Sequence, residues 1–103
     1  MSKMRMILQT EFTIAANHPS LEGHFPDNPV VPGVVILDQV SRYWMEKMKS
    51  DIKVYQQVKF QNMLRPDTNC QLSYHSVNNQ KINFKVIESN SSIIISQGTF
   101  LVS

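Results

Sequence analysis

The chain has 103 residues, a formal net charge of +2 and one cysteine, and 42% of its residues are hydrophobic. This length predicts one globular domain over residues 1–103, and so small a charge, without any run of lysine or arginine, argues against nucleic acid as a partner. The lone Cys70 excludes an internal disulfide and suggests a reducing, cytoplasmic location, and no apolar run reaches the length of a signal peptide core or of a membrane span.

The first predicted element is a β-strand over residues 4–16, where apolar and polar side chains alternate along most of the segment. Residues 17–32 follow as a loop without any periodic pattern. Proline fixes φ and restrains the residue before it, so this loop is predicted to be stiff. Four of the five prolines of the chain lie in it: Pro19, Pro26, Pro29 and Pro32.

Residues 33–49 are the one helix candidate. Four apolar residues recur in it at helical spacing: Ile36, Val40, Trp44 and Met48. The first half of the segment is apolar nearly all round, which predicts burial on every side. Its β-branched run at 34–36 has poor helix propensity, so a hairpin through Pro32-Gly33 remains an alternative.

After the helix, four β-strands are predicted at 52–61, 69–77, 81–88 and 92–102. The turn sequences between them are short, and short turns join antiparallel neighbours, so each of these strands is expected to pair with the next. Gly98 lies inside the last strand and predicts a bulge or a close backbone contact. One helix with five strands gives an α+β fold in which the sheet covers the helix. Since a chain this short buries only about 60–65% of its surface on folding, a dimer is expected.

The stiff loop presents an imidazole at His24. Gly23 before it and Pro26 after it constrain where the ring points, and histidine is the side chain whose charge changes near neutral pH. A loop histidine without a catalytic task is the simplest alternative. With the carboxyl group of Asp38, fourteen residues further on, this imidazole would supply the minimum for acid–base chemistry.

Asp38 lies one turn into the apolar start of the predicted helix. Burying an ionised carboxylate without a partner is costly, so the group is expected to be either paired or protonated. One reading is an ion pair with Arg42, at the spacing that brings side chains together on a helix. The other reading is a carboxyl group whose pKa is raised by apolar surroundings, so that it can donate a proton.

Gly33 opens the predicted helix, where unpaired N–H groups and positive potential are found. A glycine at this position would let the carbonyl oxygen of another molecule approach the backbone, as the polarisation of a thioester requires. A simple turn glycine is the alternative. The three histidines and Cys70 match no familiar metal-ligand spacing, so neither a metal nor another cofactor is predicted.

The stretch from Gly23 to Asp38 reads Gly-His-Phe-Pro-Asp-Asn-Pro-Val-Val-Pro-Gly-Val-Val-Ile-Leu-Asp. It resembles the signature of the 3-hydroxyacyl-carrier-protein dehydratases of the FabA/FabZ type, including that family's fourteen-residue interval between histidine and acid. Lys59-Phe60 and Arg65-Pro66-Asp67-Thr68 look like the family's downstream strand and turn. The resemblance covers residues 17–68 well and the remainder by layout.

Within that family, the short chain and its Val-Val-Pro-Gly-Val run look like the ApeI-like branch, the dehydratases of the aryl-polyene clusters. The acid is the shorter Asp38, as in the FabA-type members, and Arg42 stands where many members have a glutamine. The second of these differences bears on the shape of the substrate tunnel and on the protonation of the acid.

The resemblance implies a hotdog fold, in which an antiparallel sheet wraps around one long helix, and a homodimer whose sheets join edge to edge. It also implies the roles of three groups: His24 would take the C2 proton of a 3-hydroxyacyl thioester, Asp38 of the partner chain would protonate the departing 3-hydroxyl, and the Gly33 amide would hold the thioester oxygen. Four more residues would contact the substrate: Phe25, Val31, Pro32 and Arg42. The acyl group would arrive on an acidic acyl carrier protein, in fatty acid or aryl-polyene biosynthesis.

Two alternatives remain. A hotdog thioesterase would use a carboxylate to activate water and would not need the His-Phe-Pro loop. A non-catalytic partner subunit would keep the fold and turn nothing over.

Overall fold

Five β-strands and one α-helix make up the part of the chain that the computed structural model describes, residues 5–21 and 30–102. The elements in chain order are β1 (Arg5–Thr13), a 3-10 turn (Pro19–Leu21), α1 (Gly33–Met48), β2 (Ile52–Phe60), β3 (Asn69–Ser76), β4 (Lys81–Glu88) and β5 (Ile94–Val102). The helix expected at 33–49 is confirmed, and the hairpin alternative is wrong. The strands lie where they are predicted, except that β1 ends at Thr13 and does not continue to residue 16.

The sheet has the order β1-β3-β4-β5-β2, and every pair of neighbours is antiparallel. The expectation that each strand pairs with the next holds for β3–β4 and β4–β5 but is wrong for β2 and β3. The chain crosses between them through residues 61–68. There Leu64 is buried, and its carbonyl accepts a hydrogen bond from the Val31 N–H at 2.8 Å. This connection therefore runs across the segment that leads into α1 and does not form a hairpin.

The sheet wraps around one side of α1, which is the hotdog arrangement. Trp44 projects from the helix into an aromatic cluster, with its ring 5.3 Å from that of Tyr74 and 5.2 Å from that of Phe100. The Tyr74 hydroxyl also donates to the Val40 carbonyl at 2.6 Å. Because these side chains are buried, the contacts fix both the depth and the rotation of the helix against the sheet.

A second tyrosine, on β2, also holds the side of the helix that faces the sheet. The Tyr55 hydroxyl donates to the Leu37 carbonyl at 3.1 Å, and the Ser41 hydroxyl oxygen lies 2.6 Å from the same phenolic oxygen. Burial raises the pKa of Tyr55, so that its hydroxyl keeps its proton and can donate. The opposite flank of the helix, which carries Val34, makes no such contacts with the sheet and is exposed.

β2 contains a bulge opposite Gly98. Between the paired residues Gln56 and Lys59, β2 has two residues where β5 has only Gly98, and Gln57 adopts a left-handed conformation with φ of 53°. A Cβ atom on Gly98 would lie 2.9 Å from the Cα of Val58. Of the two expectations for this glycine, the close backbone contact is confirmed, and the bulge lies in the neighbouring strand.

Two buried hydroxyl groups of β5 complete the hydrogen bonding on either side of the bulge. Ser96 donates to the Lys59 carbonyl at 2.8 Å, and Thr99 donates to the Gln56 carbonyl at 3.0 Å. Carbonyl groups that have lost regular ladder partners are satisfied in this way. The bulge is thus a fixed feature of β2, and it lies directly before the residues that end the strand near α1.

The expected burial of the first half of α1 on every side is wrong for the single chain. Val35 and Ile36 are buried, whereas Val34 is 73% exposed. The sheet covers one side of the helix. The flank that carries Val34 and Asp38 faces away from the sheet and shares a cavity with His18.

Candidate active site

The described residues include five of the seven positions that the sequence singles out: Val31, Pro32, Gly33, Asp38 and Arg42. His24 and Phe25 lie outside the described residues, so their roles stay predictions. The five described residues surround the start of α1, but they do not form one cluster. Val31 and Gly33 line one cavity, Asp38 and Arg42 line another on a different side of the helix, and Pro32 lines neither.

α1 begins at a proline that provides no side-chain cap. Pro32 occupies the N-cap position with extended backbone angles, and its carbonyl accepts from the N–H groups of Val35 at 3.0 Å and Ile36 at 3.3 Å. The N–H groups of Gly33 and Val34 precede the first acceptor within the helix. No backbone carbonyl of residues 5–21 or 30–102 accepts a hydrogen bond from either of these two N–H groups. The helix start therefore has amide donors for an incoming oxygen atom.

The first cavity opens beside Gly33 and has a volume of about 410 Å³. Gln61 and Asn62 contribute polar edges, but most of its lining is apolar. The apolar lining residues are Val30, Val31, Ile36, Phe60, Met63 and Leu64. An apolar pocket with amide donors at one end suits a ligand with an apolar chain and a polar head.

Gly33 leaves room beside the start of α1 for a side chain of β2. A Cβ atom added to it would lie 2.7 Å from the Cζ atom of Phe60, well inside any normal contact distance. Gly33 is the first helical residue, so the turn-glycine reading does not explain it. Its missing side chain lets a ring from β2 approach the helix backbone closely.

Asp38 lies on the opposite flank of α1 and is paired with Arg42. The Nε atom of Arg42 donates to the carboxylate of Asp38 at 2.8 Å, and the two side chains are 74% and 53% exposed. Of the two readings of Asp38, the ion pair at helical spacing is confirmed. The apolar surroundings that the other reading requires are not found among the described residues of the single chain.

The second cavity, of about 290 Å³, lies on this flank. Asp38 and Arg42 line it together with Val34, Val35 and His18. Sequence reasoning considered His18 only as a metal ligand and missed its position beside Asp38. The one available signal is its place just before the first proline of the stiff loop, and that signal does not distinguish it from any other loop histidine.

The helical period explains why the two cavities are separate. Gly33 and Ile36 project towards one side of α1, whereas Val34, Asp38 and Arg42 follow at intervals of four residues along another. Consequently Gly33 and the Asp38 carboxylate of one chain line different cavities.

Cys70, the one cysteine of the chain, is buried. Burial, reinforced by the negative charge of Glu88, raises the pKa of the Cys70 thiol to about 11, so the thiol is protonated and unreactive near neutral pH. Within the described ranges, no group of three or more histidine, cysteine, aspartate or glutamate side chains could hold a metal ion. Within the same ranges, no helix is long and apolar enough to cross a membrane.

Sequence comparison gives a match over nearly the whole chain. The model of the ApeI-like family, described as ApeI dehydratase, matches residues 2–99. A 29-residue segment is 48% identical to the 3-hydroxyacyl-[acyl-carrier-protein] dehydratase FabZ of Thermoanaerobacter sp. (strain X514). That segment is 28% of this chain and 20% of the FabZ protein, so the chain matches about a fifth of the length of this relative.

Solved structures with the same fold have more than one activity. The dehydratase heterocomplex ApeI:P from Xenorhabdus doucetiae superposes with a TM-score of 0.76 and 21% identity over 97% of each chain. A fluoroacetyl-CoA thioesterase superposes with a TM-score of 0.66 and 11% identity, over 100% of this chain and 85% of the other. At these identities the likeness shows the hotdog fold alone, and the fold does not distinguish a dehydratase from a thioesterase.

Proposed function

The chain belongs to the ApeI-like family, and on that premise we propose that it dehydrates a 3-hydroxyacyl thioester, carried on an acyl carrier protein, to the trans-2-enoyl thioester. The observation that supports this most directly is the placement of Asp38. Its carboxylate lines an open cavity on the flank of α1 that the chain's own sheet leaves uncovered. A carboxyl group in that position is available to a substrate held by a neighbouring chain.

Three groups carry out the elimination. His24 takes the proton from C2, and the electron pair of the broken C–H bond moves into an enolate of the thioester. As the C3–O bond breaks, this pair forms the double bond between C2 and C3, and Asp38 gives its proton to the departing hydroxyl, so that water leaves. The Gly33 amide holds the thioester oxygen while negative charge develops on it. An acid and a base with opposite proton roles are what such an elimination needs.

The acyl group lies in the cavity beside Gly33, which its apolar lining residues suit. The helix start supplies donors at the end of that cavity, where the thioester carbonyl would be bound. The phosphopantetheine arm reaches the same end from the carrier protein. An acidic carrier is compatible with the chain's net charge of +2.

The active site is shared between two chains, because Gly33 and Asp38 of one chain face different cavities. A second copy supplies the missing acid. Apolar side chains are exposed along the open flank of α1 and on β2, which is an edge strand of the sheet formed by the described residues: Val34, Met45, Met48 and Val54. Such a surface favours association with another chain. A related hotdog chain is the alternative partner, as in the heterocomplex from Xenorhabdus doucetiae.

Asp38 must carry a proton when water leaves, whereas in the single chain it forms an ion pair with Arg42. The pair is exposed, and an exposed pair is worth only about 0.2–1 kcal/mol. Arg42 therefore moves away at a small energetic cost when a partner chain and substrate cover this flank.

The proposed function is tested with the purified protein and 3-hydroxyacyl thioesters of several chain lengths on acyl carrier protein. The expected product is the enoyl thioester, followed by mass spectrometry of the intact carrier. Release of free carrier thiol without enoyl product would instead identify a thioesterase. Unchanged substrate at every chain length would identify a subunit without activity of its own.

A further inference from the structure

The ring of Phe60 is seated against the backbone of Gly33. Phe60 ends β2, and three of its ring atoms lie 2.7, 2.9 and 3.0 Å from the position that a Gly33 Cβ would occupy. The ring is half exposed, so burial in the core does not account for its position. It covers the glycine at which the thioester carbonyl is proposed to bind.

The backbone on both sides of this ring is fixed by β5. Phe60 pairs with Ser96 across the sheet, and the Ser96 hydroxyl holds the Lys59 carbonyl at 2.8 Å. Directly after the ring, the Gln61 N–H donates to the Ile95 carbonyl at 2.9 Å. The backbone of Phe60 is therefore fixed beside the 410 Å³ cavity, and the ring lines that cavity.

We propose that Phe60 is a specificity-determining residue, which excludes 3-hydroxyacyl thioesters that carry a substituent at C2. This inference rests on the proposed function, because it takes Gly33 as the residue that holds the thioester oxygen. C2 is bonded to the carbonyl carbon, so any group that closely flanks Gly33 also flanks C2. The ring occupies space that a C2 methyl group would need, whereas a straight chain continues into the apolar cavity.

The expected discrimination is that of one methyl group against the Phe60 ring. A single methyl or methylene group usually changes kcat/KM by about 10–200-fold. The wild-type protein is expected to prefer straight-chain 3-hydroxyacyl thioesters over 2-methyl-3-hydroxyacyl thioesters by a factor in this range. Phe60→Ala removes the wall, and Phe60→Leu reduces it.

The experiment compares kcat/KM for the two substrates in the wild type, in Phe60→Ala and in Phe60→Leu. The ratio of 2-methyl to straight-chain activity should rise by about tenfold or more in Phe60→Ala and by less in Phe60→Leu. Ile93→Ala is the matched control, because Ile93 is as exposed as Phe60 but lines neither cavity. An unchanged ratio in both Phe60 variants, with straight-chain activity retained, would overturn the inference and leave the proposed function intact.

A second measurement tests the contact without any catalysis. Gly33→Ala should lower the melting temperature, because its new Cβ meets the Phe60 ring. In the Phe60→Ala background, Gly33→Ala should lower the melting temperature by much less than in the wild type, because residues in contact are energetically coupled. Strictly additive changes would contradict the close contact on which the inference depends. If the wild type dehydrates no 3-hydroxyacyl thioester, the proposed function and the selectivity fall together.

Discussion

The two flanks of α1 differ in burial and in chemistry. On the flank towards the sheet, Val40 and Trp44 are buried, and tyrosine hydroxyls hold the helix carbonyls. On the other flank, Val34, Asp38 and Arg42 are exposed around an open cavity. One side of the helix therefore packs in the core, and the other side is left uncovered in the single chain.

The stability of the fold and the proposed proton transfer depend on different flanks of α1. The side chains that stabilise the helix against the sheet carry no group suited to proton transfer, since the Tyr74 pKa is raised by burial and its hydroxyl is occupied by Val40. The candidate acid Asp38 contributes little to stability, because an exposed ion pair is worth only a few tenths of a kcal/mol to about 1 kcal/mol. Substitutions on the two flanks should therefore affect different measurements.

The largest expected effect is on the rate, from the exposed flank. Asp38→Asn keeps the shape of the side chain but cannot deliver a proton, so kcat for dehydration should fall by about 10²–10⁴-fold. Because Asp38 is exposed in the single chain, the free energy of unfolding in urea should change by less than about 1 kcal/mol. Glu46→Gln, on the exposed end of the same helix, is the matched control and should leave both quantities nearly unchanged. An Asp38→Asn protein that dehydrates as fast as the parent would remove Asp38 from the mechanism.

The opposite pattern is expected from the buried flank. Phe100 is fully buried between Trp44 and Phe84, and Phe100→Ala should lower the free energy of unfolding by about 3–5 kcal/mol. Val34→Ala, on the exposed flank, should change it by less than about 0.5 kcal/mol at a concentration where the protein is monomeric. Urea titrations followed by tryptophan fluorescence measure both. Equal losses of unfolding free energy in the two variants would mean that the two flanks contribute equally to stability.

A small effect on stability is expected from Arg42. Arg42→Gln removes the ion pair with Asp38, and because that pair is exposed, the free energy of unfolding should fall by no more than about 1 kcal/mol. Arg42→Lys keeps the charge and should lower it by less. Urea titrations measure both variants, and a loss above about 2 kcal/mol in Arg42→Gln would mean that the pair stabilises α1 more than its exposure allows.

Much of the fold could be predicted from the sequence, because its signals are local. Pro32-Gly33 and the four-residue spacing through Trp44 mark α1, and the turn sequences mark the strands. The position of β2 beside β5 could not be predicted, because turn length does not reveal a crossing such as that through residues 61–68. The exposure of Val34 was missed for a related reason, since periodicity does not show that a sheet covers only one side of a helix.

The candidate site was predictable in its residue types but not in its geometry. The ion pair of Asp38 and Arg42 follows from helical spacing. The contact between Phe60 and Gly33 joins residues far apart in the chain, and it depends on a strand that the bulge opposite Gly98 reshapes. The place of His18 beside Asp38 likewise depends on how the chain packs after β1. Such long-range placements leave no periodic signal in the sequence.

The most direct test of the shared active site is a mixed dimer of two inactive variants. His24→Ala and Asp38→Asn chains are each purified, mixed under conditions that allow subunits to exchange, and assayed for enoyl thioester formation. In a mixed dimer, one of the two sites combines the intact His24 of one chain with the intact Asp38 of the other. Activity that is absent from either variant alone is expected to return on mixing. A mixture that exchanges subunits and remains as inactive as its parents would contradict a site built from both chains.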